Sequence, residues 1–120
     1  MKKLFMLFIL MVVISSCEKK SPVSFGFDSD INTNSSGLTL MDVDKGADLI
    51  SLTGSVVVHT ESVEVILSDP AGAEVYKNSF AGPETFSINE TFSAAQGTWK
   101  LQYTSNNATG SIDLHMSYTN

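Results

Sequence analysis

Leu49-Ile50-Ser51-Leu52-Thr53-Gly54-Ser55-Val56-Val57-Val58 runs into His59-Thr60-Glu61 and then into Ser62-Val63-Glu64-Val65-Ile66-Leu67-Ser68-Asp69-Pro70-Ala71-Gly72. The first segment is rich in β-branched and apolar residues. In the second, Val63, Val65 and Leu67 alternate with Ser62, Glu64 and Ile66, the period-two signature of a strand. The polar triplet between them predicts a hairpin tip, and Gly54 predicts a bulge. Asp69-Pro70-Ala71-Gly72 predicts a tight turn, because proline presets φ and glycine supplies a positive φ.

The same punctuation continues toward the C-terminus. Val75 to Phe80 forms a short strand stopped by Ala81-Gly82-Pro83. Phe86, Ile88 and Phe92 share one parity, with Glu90 the exception among them. After a turn at Gln96-Gly97, Trp99, Leu101 and Tyr103 fall on one face, with Thr98, Lys100 and Gln102 on the other. Ser105 to Gly110 predicts a polar turn, and Ile112, Leu114, Met116 and Tyr118 a last inward row.

Toward the N-terminus, Val23, Phe25 and Phe27 alternate with Ser24 and Gly26 and predict a first strand. Asp28 through Gly37 is polar and predicts a loop. Leu38 and Leu40 lead into an acidic turn at Asp44-Lys45-Gly46. No window after residue 17 carries a helical period. Turn signals about every 8–12 residues separate some seven or eight strands, which predicts an all-β, antiparallel two-sheet β-sandwich over residues 23–120.

Two segments add a resemblance. Ser-Val-Glu-Val-Ile-Leu-Ser-Asp-Pro-Ala-Gly at 62–72 ends a strand in Asp-Pro-x-Gly, and Phe-Ser-Ala-Ala-Gln-Gly-Thr-Trp-Lys-Leu at 92–101 opens a later strand with Gly-x-Trp-x-Leu. This plan resembles GOLD domains and bacterial pre-peptidase C-terminal domains over about half the chain. The resemblance implies a β-sandwich acting as an accessory or interaction module, and it carries over no functional residue.

The first residues have a different character. Lys2 and Lys3 precede an apolar run from Leu4 to Ile14, too short to span a bilayer, and then Ser15, Ser16 and Cys17. That order is an export signal. Ile14-Ser15-Ser16-Cys17 resembles the lipobox of bacterial lipoproteins. The resemblance implies a cleaved signal helix at 1–16, lipid on Cys17, and a tether at 17–22. The expected location is the cell envelope. Glu18 is not the aspartate linked to inner-membrane retention in some Gram-negative bacteria, which favours the outer membrane. Lys19 and Lys20 depart from the acidic run of surface-exported lipoproteins, so the membrane side stays open.

Composition narrows the functional classes. Cleavage leaves 104 residues, enough for one domain, with five lysines against thirteen acidic groups and a net charge of −8. With no arginine and this acidity, nucleic acid is not an expected partner. Cys17 is the only cysteine, so the domain must be held by packing and not by disulfides.

Candidate chemistry is sparse. Trp99, Tyr103 and Tyr76 are the residues from which a sugar platform would be built. Trp99 and Tyr103 nonetheless share parity with Leu101, which predicts core positions, and only Tyr76 is a candidate for exposure. Asp42, Asp44 and Asp48 alternate around Gly46 in a way that hard cations favour, and they are the calcium candidates. The glycine comes one place early for the EF-hand spacing and no Glu stands at the twelfth position, so no metal is assigned. Asp28, Asp30, Asn32 and Asn34 repeat the alternation without the glycine.

His59 and His115 lack further ligands for zinc. Serines have no nucleophile-elbow context, and Glu61, Glu64, Glu84 and Glu90 are scattered over turns and wet faces. The expectation is therefore a non-catalytic, cofactor-free binding or assembly module with another envelope protein as partner. Capture of a carbohydrate or other small ligand is the alternative.

Overall fold

The computed structural model describes residues 23–119, and all its regular elements are strands. The expected signal helix, Cys17 and the tether lie outside the described residues. The strands are β1 (Val23–Ile31), β2 (Ser36–Val43), β3 (Leu49–Ser68), β4 (Glu74–Ala81), β5 (Glu84–Ser93) and β6 (Gly97–Thr119).

The two long strands organise everything else. β3 and β6 pair antiparallel over almost their whole lengths, from Leu49↔Thr119 to Ser68↔Lys100. Their register shifts around Thr60, which faces Thr109, and the two hydroxyls lie 3.0 Å apart. Glu61 and Asn107 adopt φ of 61° beside this point. The ribbon turns a corner there and lays one half over the other.

Each half then gains an edge strand on either side. The first sheet is β1, the C-terminal half of β6, the N-terminal half of β3, then β5. The second is β2, the N-terminal half of β6, the C-terminal half of β3, then β4. All pairs are antiparallel. Six chain segments thus supply eight strand positions in two four-stranded sheets, the sandwich expected from the sequence, with jelly-roll strand order.

Both inner faces contribute to one core. Ile50, Leu52, Val56, Leu114 and Met116 from the first sheet join Met41, Val63, Val65, Leu67, Trp99 and Leu101 from the second. Phe27 meets Tyr103 edge-on across the layers at 4.9 Å, and Phe80 meets Phe86 at 4.8 Å. Burying a side chain of this size stabilises the fold by about 1.5–3 kcal/mol. A core of this extent explains how the domain holds without a cross-link.

Four local expectations need correction. His59-Thr60-Glu61 is not a hairpin tip and Ser105 to Gly110 is not a reversal: both lie inside continuous strands, at the corner where the sheets meet. Gly54 marks no bulge, since pairing runs unbroken from Leu49 to Val58. The polar run 28–37 is mostly strand. Asp28 to Ile31 pairs with Asp113 to Gly110, Ser36 already pairs with Thr104, and only a short turn separates them. The Asp69-Pro70-Ala71-Gly72 turn forms as expected. Asp69 Oδ1 accepts from the amides of Ala71 at 3.0 Å and Ala73 at 2.9 Å.

Candidate functional site

The aromatic candidates are spent on the core. Trp99 is 1 % exposed, with its indole Nε1 donating to the Ala95 carbonyl at 2.8 Å. Tyr103 is also buried. Tyr76, the candidate for exposure, is half-buried and packs edge-on against Phe92 at 6.4 Å. Val75, the neighbour of Tyr76 on β4, has the outward parity of the strand and is the more exposed of the two. A tryptophan in this setting predicts a blue emission maximum that oligosaccharides leave unchanged. A red-shifted spectrum that responds to titrated glycans would contradict the buried placement.

The acidic turn has internal uses. Asp42 Oδ1 accepts from Thr98 Oγ1 at 2.6 Å, and Asp44 Oδ2 accepts from the Tyr118 hydroxyl at 3.3 Å. Burial, followed by the charge and hydrogen bond of Asp44, raises the Tyr118 pKa. Asp48 is tied through its backbone to Thr119 and Ala94. Among the described residues no three His, Cys, Asp or Glu side chains gather as a metal would require.

The carboxylates considered for hydrolysis are dispersed. Glu61 sits at the corner, Glu64 lies 4.0 Å from Lys77 on the second sheet, and Glu84 and Glu90 lie on β5 of the first. His59 is exposed at the corner. His115 Nδ1 lies 3.5 Å from Asp113 Oδ1 on the open outer face of the first sheet.

A surface feature that strand periodicity concealed lies on β2. Its inward positions are Gly37, Thr39, Met41 and Val43, since these pair with Tyr103, Leu101, Trp99 and Gly97. Its outward positions are Ser36, Leu38, Leu40 and Asp42. Leu38 is 59 % exposed and Leu40 53 % exposed, the two most exposed large apolar residues described. An open depression of about 420 Å³ adjoins Leu38 and is lined by Ser36, Gly37, Leu38, Gln102, Tyr103 and Thr104. Phe25, also partly exposed, opens from β1 on the same flank. The signal for this site in the sequence is the parity change from Leu38 and Leu40 to Met41 and Val43, which makes β2 apolar on both faces.

β2 is also an edge strand, paired on one side alone. The other three edges carry devices that discourage further pairing. β1 has Asp28 and Asp30, β4 has Glu74 and Lys77, and β5 has Glu84 and Glu90 after Pro83. From Ser36 to Met41, β2 has neither charge nor proline.

No family model matches the chain, and no curated protein matches it. Solved structures similar to it include a protein of Bacillus endospore appendages, described as forming disulfide-linked pili. That match has 17% identity and a TM-score of 0.49 and covers 83% of this chain and 89% of that one. The insecticidal delta-endotoxin Cry8Ea1 from Bacillus thuringiensis matches at 11% identity and TM-score 0.49, over 79% of this chain but 20% of the toxin. The Yersinia pseudotuberculosis-derived mitogen matches at 10% identity and TM-score 0.42, over 83% and 86% of the two chains.

Proposed function

We propose that this chain is a lipid-anchored protein of the cell envelope, delivered to the outer membrane, whose β-sandwich serves as a non-catalytic binding or assembly module for a protein partner. The observation that carries the anchor is Ile14-Ser15-Ser16-Cys17 after a dibasic start and a short apolar run. Several acyl chains on one cysteine give stable attachment, since each buried methylene contributes about 0.8 kcal/mol. The module reading is supported by a well-packed core and an unguarded sheet edge. Main-chain groups on such an edge give affinity to an added strand, while its alternate side chains give selectivity.

Cys17→Ala separates the anchor from the fold. The variant is expected to lose metabolic palmitate labelling and to move from the membrane pellet to the soluble fraction. A labelled, pelleting Cys17→Ala chain would refute the anchor. For the module, in-cell crosslinking of the full-length chain is expected to give a reproducible protein adduct. A blank across growth conditions would remove the module reading and turn attention to soluble ligands.

A further inference from the structure

We infer that β2 is a self-association edge: two copies of this chain pair antiparallel through Ser36–Asp42 about a two-fold axis at Thr39, joining their second sheets into one continuous sheet. The inference deepens the module reading and, for its geometry at the membrane, rests on the anchor at Cys17.

Three observations select a second copy as the occupant. The first is self-complementarity. Ser36-Gly37-Leu38-Thr39-Leu40-Met41-Asp42 is centred on Leu-Thr-Leu. With the axis at Thr39, Leu38 of each copy faces Leu40 of the other on the outer side of the sheet. Four exposed leucines then cover one another, and direct cross-strand apolar pairs are stabilising.

The second is charge. In this register Asp42 faces Ser36 of the second copy, so the only charged residue of the segment meets a hydroxyl and not another carboxylate. A chain with net charge −8 after cleavage would repel itself across β1, with Asp28 and Asp30, and across β5, with Glu84 and Glu90, while Glu74 and Lys77 keep the β4 edge charged and solvated. β2, with Asp42 as its one charge, is the edge with the fewest charged groups. The third is shape. The open depression lined by Ser36, Gly37, Leu38, Gln102, Tyr103 and Thr104 leaves room beside Leu38, the residue that Leu40 of the second copy would meet.

Strand pairing over seven residues buries less than the roughly 1,200 Å² of a stable soluble interface. Confinement to a membrane raises the effective concentration and makes such a contact sufficient. β2 runs from the corner toward the end of the sandwich that holds Val23, so the antiparallel pair sends its two Val23 ends in opposite directions. Residues 17–22 reach at most about 20 Å when extended. Both anchors enter the same bilayer only if the two-fold axis stands along the membrane normal, with the joined sheet lying parallel to the surface.

Cysteine crosslinking of the full-length chain in its own membranes tests this. Thr39→Cys places two thiols opposite each other at the axis, within about 4.5–5.5 Å between Cβ atoms. Ser79→Cys on the guarded β4 edge is the control for random collision. Mild oxidation is expected to give a homodimer band for Thr39→Cys at least about tenfold stronger than for Ser79→Cys. Adding Leu38→Lys and Leu40→Lys should reduce it by a similar factor, because like charges then face one another across the seam. Both leucines are exposed, and undiminished protease resistance confirms that the lysine variant is folded.

Equal bands at residues 39 and 79, a band indifferent to the lysines, or a residue 39 crosslink to a different protein alone would each overturn the homodimer. The unmodified chain reports on the anchor separately. If Cys17 carries no lipid, its free thiol takes up a maleimide label without any substitution, whatever happens at residue 39.

Discussion

Trp99→Ala is expected to destabilise the sandwich by about 3–5 kcal/mol, the range for emptying a large aromatic site in a packed core. Trp99 stands at the start of β6, where the second sheet closes over the first, and is essentially inaccessible. Its loss removes the indole packing and the hydrogen bond to Ala95, and neighbours on two sheets can collapse only partly into the space. A domain of this size has about 5–15 kcal/mol in total, so one substitution consumes a large share of it. The measurement is urea unfolding of a chain beginning at Glu18, followed by far-UV circular dichroism because the fluorophore is gone. A midpoint shift of about 2 M is expected for a typical urea dependence. Leu40→Ala is the comparison: it removes an apolar side chain of an exposed position and should change stability by less than about 0.5 kcal/mol. Comparable losses for the two would mean that Trp99 is not the core residue described.

Much of this architecture was legible in the sequence, because burial of one face writes a period of two into a strand. Trp99, Leu101 and Tyr103, and then Ile112, Leu114, Met116 and Tyr118, are all buried as their alternation requires. What local pattern could not distinguish was a reversal from a corner. His59-Thr60-Glu61 is polar and contains a residue with positive φ, as a hairpin tip would. The chain continues forward only because β6 bends opposite it, a pairing of residues 49 positions apart. Asp28-Ser29-Asp30 was misleading for another reason. It lies on an edge strand with a wet outer face, so it looks like loop while pairing with β6 throughout. The candidate binding edge was hidden by its neighbours: whether an exposed leucine is an interface depends on which strands flank it, and edge position is a property of topology. The core role of Trp99, by contrast, followed from parity alone.

The inner seam of the ribbon gives the other large effect, at two glycines. Gly54 and Gly110 sit on β3 and β6 with φ of 144° and 155°, a region that L side chains rarely adopt. At Gly54 an added Cβ would overlap the Asp113 carbonyl, and at Gly110 the Val57 carbonyl. Both obstacles are backbone of the paired central strand, so relief requires the β3–β6 pairing itself to move. Backbone strain of about 1–3 kcal/mol is thus joined by a steric conflict with no flexible side chain to absorb it. Gly72, in the turn after β3, separates the two contributions. It has φ of 90° but open space where a Cβ would go. Gly72→Ala should therefore cost about 1–2 kcal/mol from conformation alone. Gly110→Ala should cost at least about 3 kcal/mol, because strain and overlap act together. Gly54→Ala should resemble Gly110→Ala. Thermal unfolding of the three variants side by side decides the matter. If all three fall equally, the close approach of β3 and β6 contributes nothing. If the two seam glycines fall well below Gly72→Ala, the sandwich depends on two strands that touch backbone to backbone where they carry no side chain.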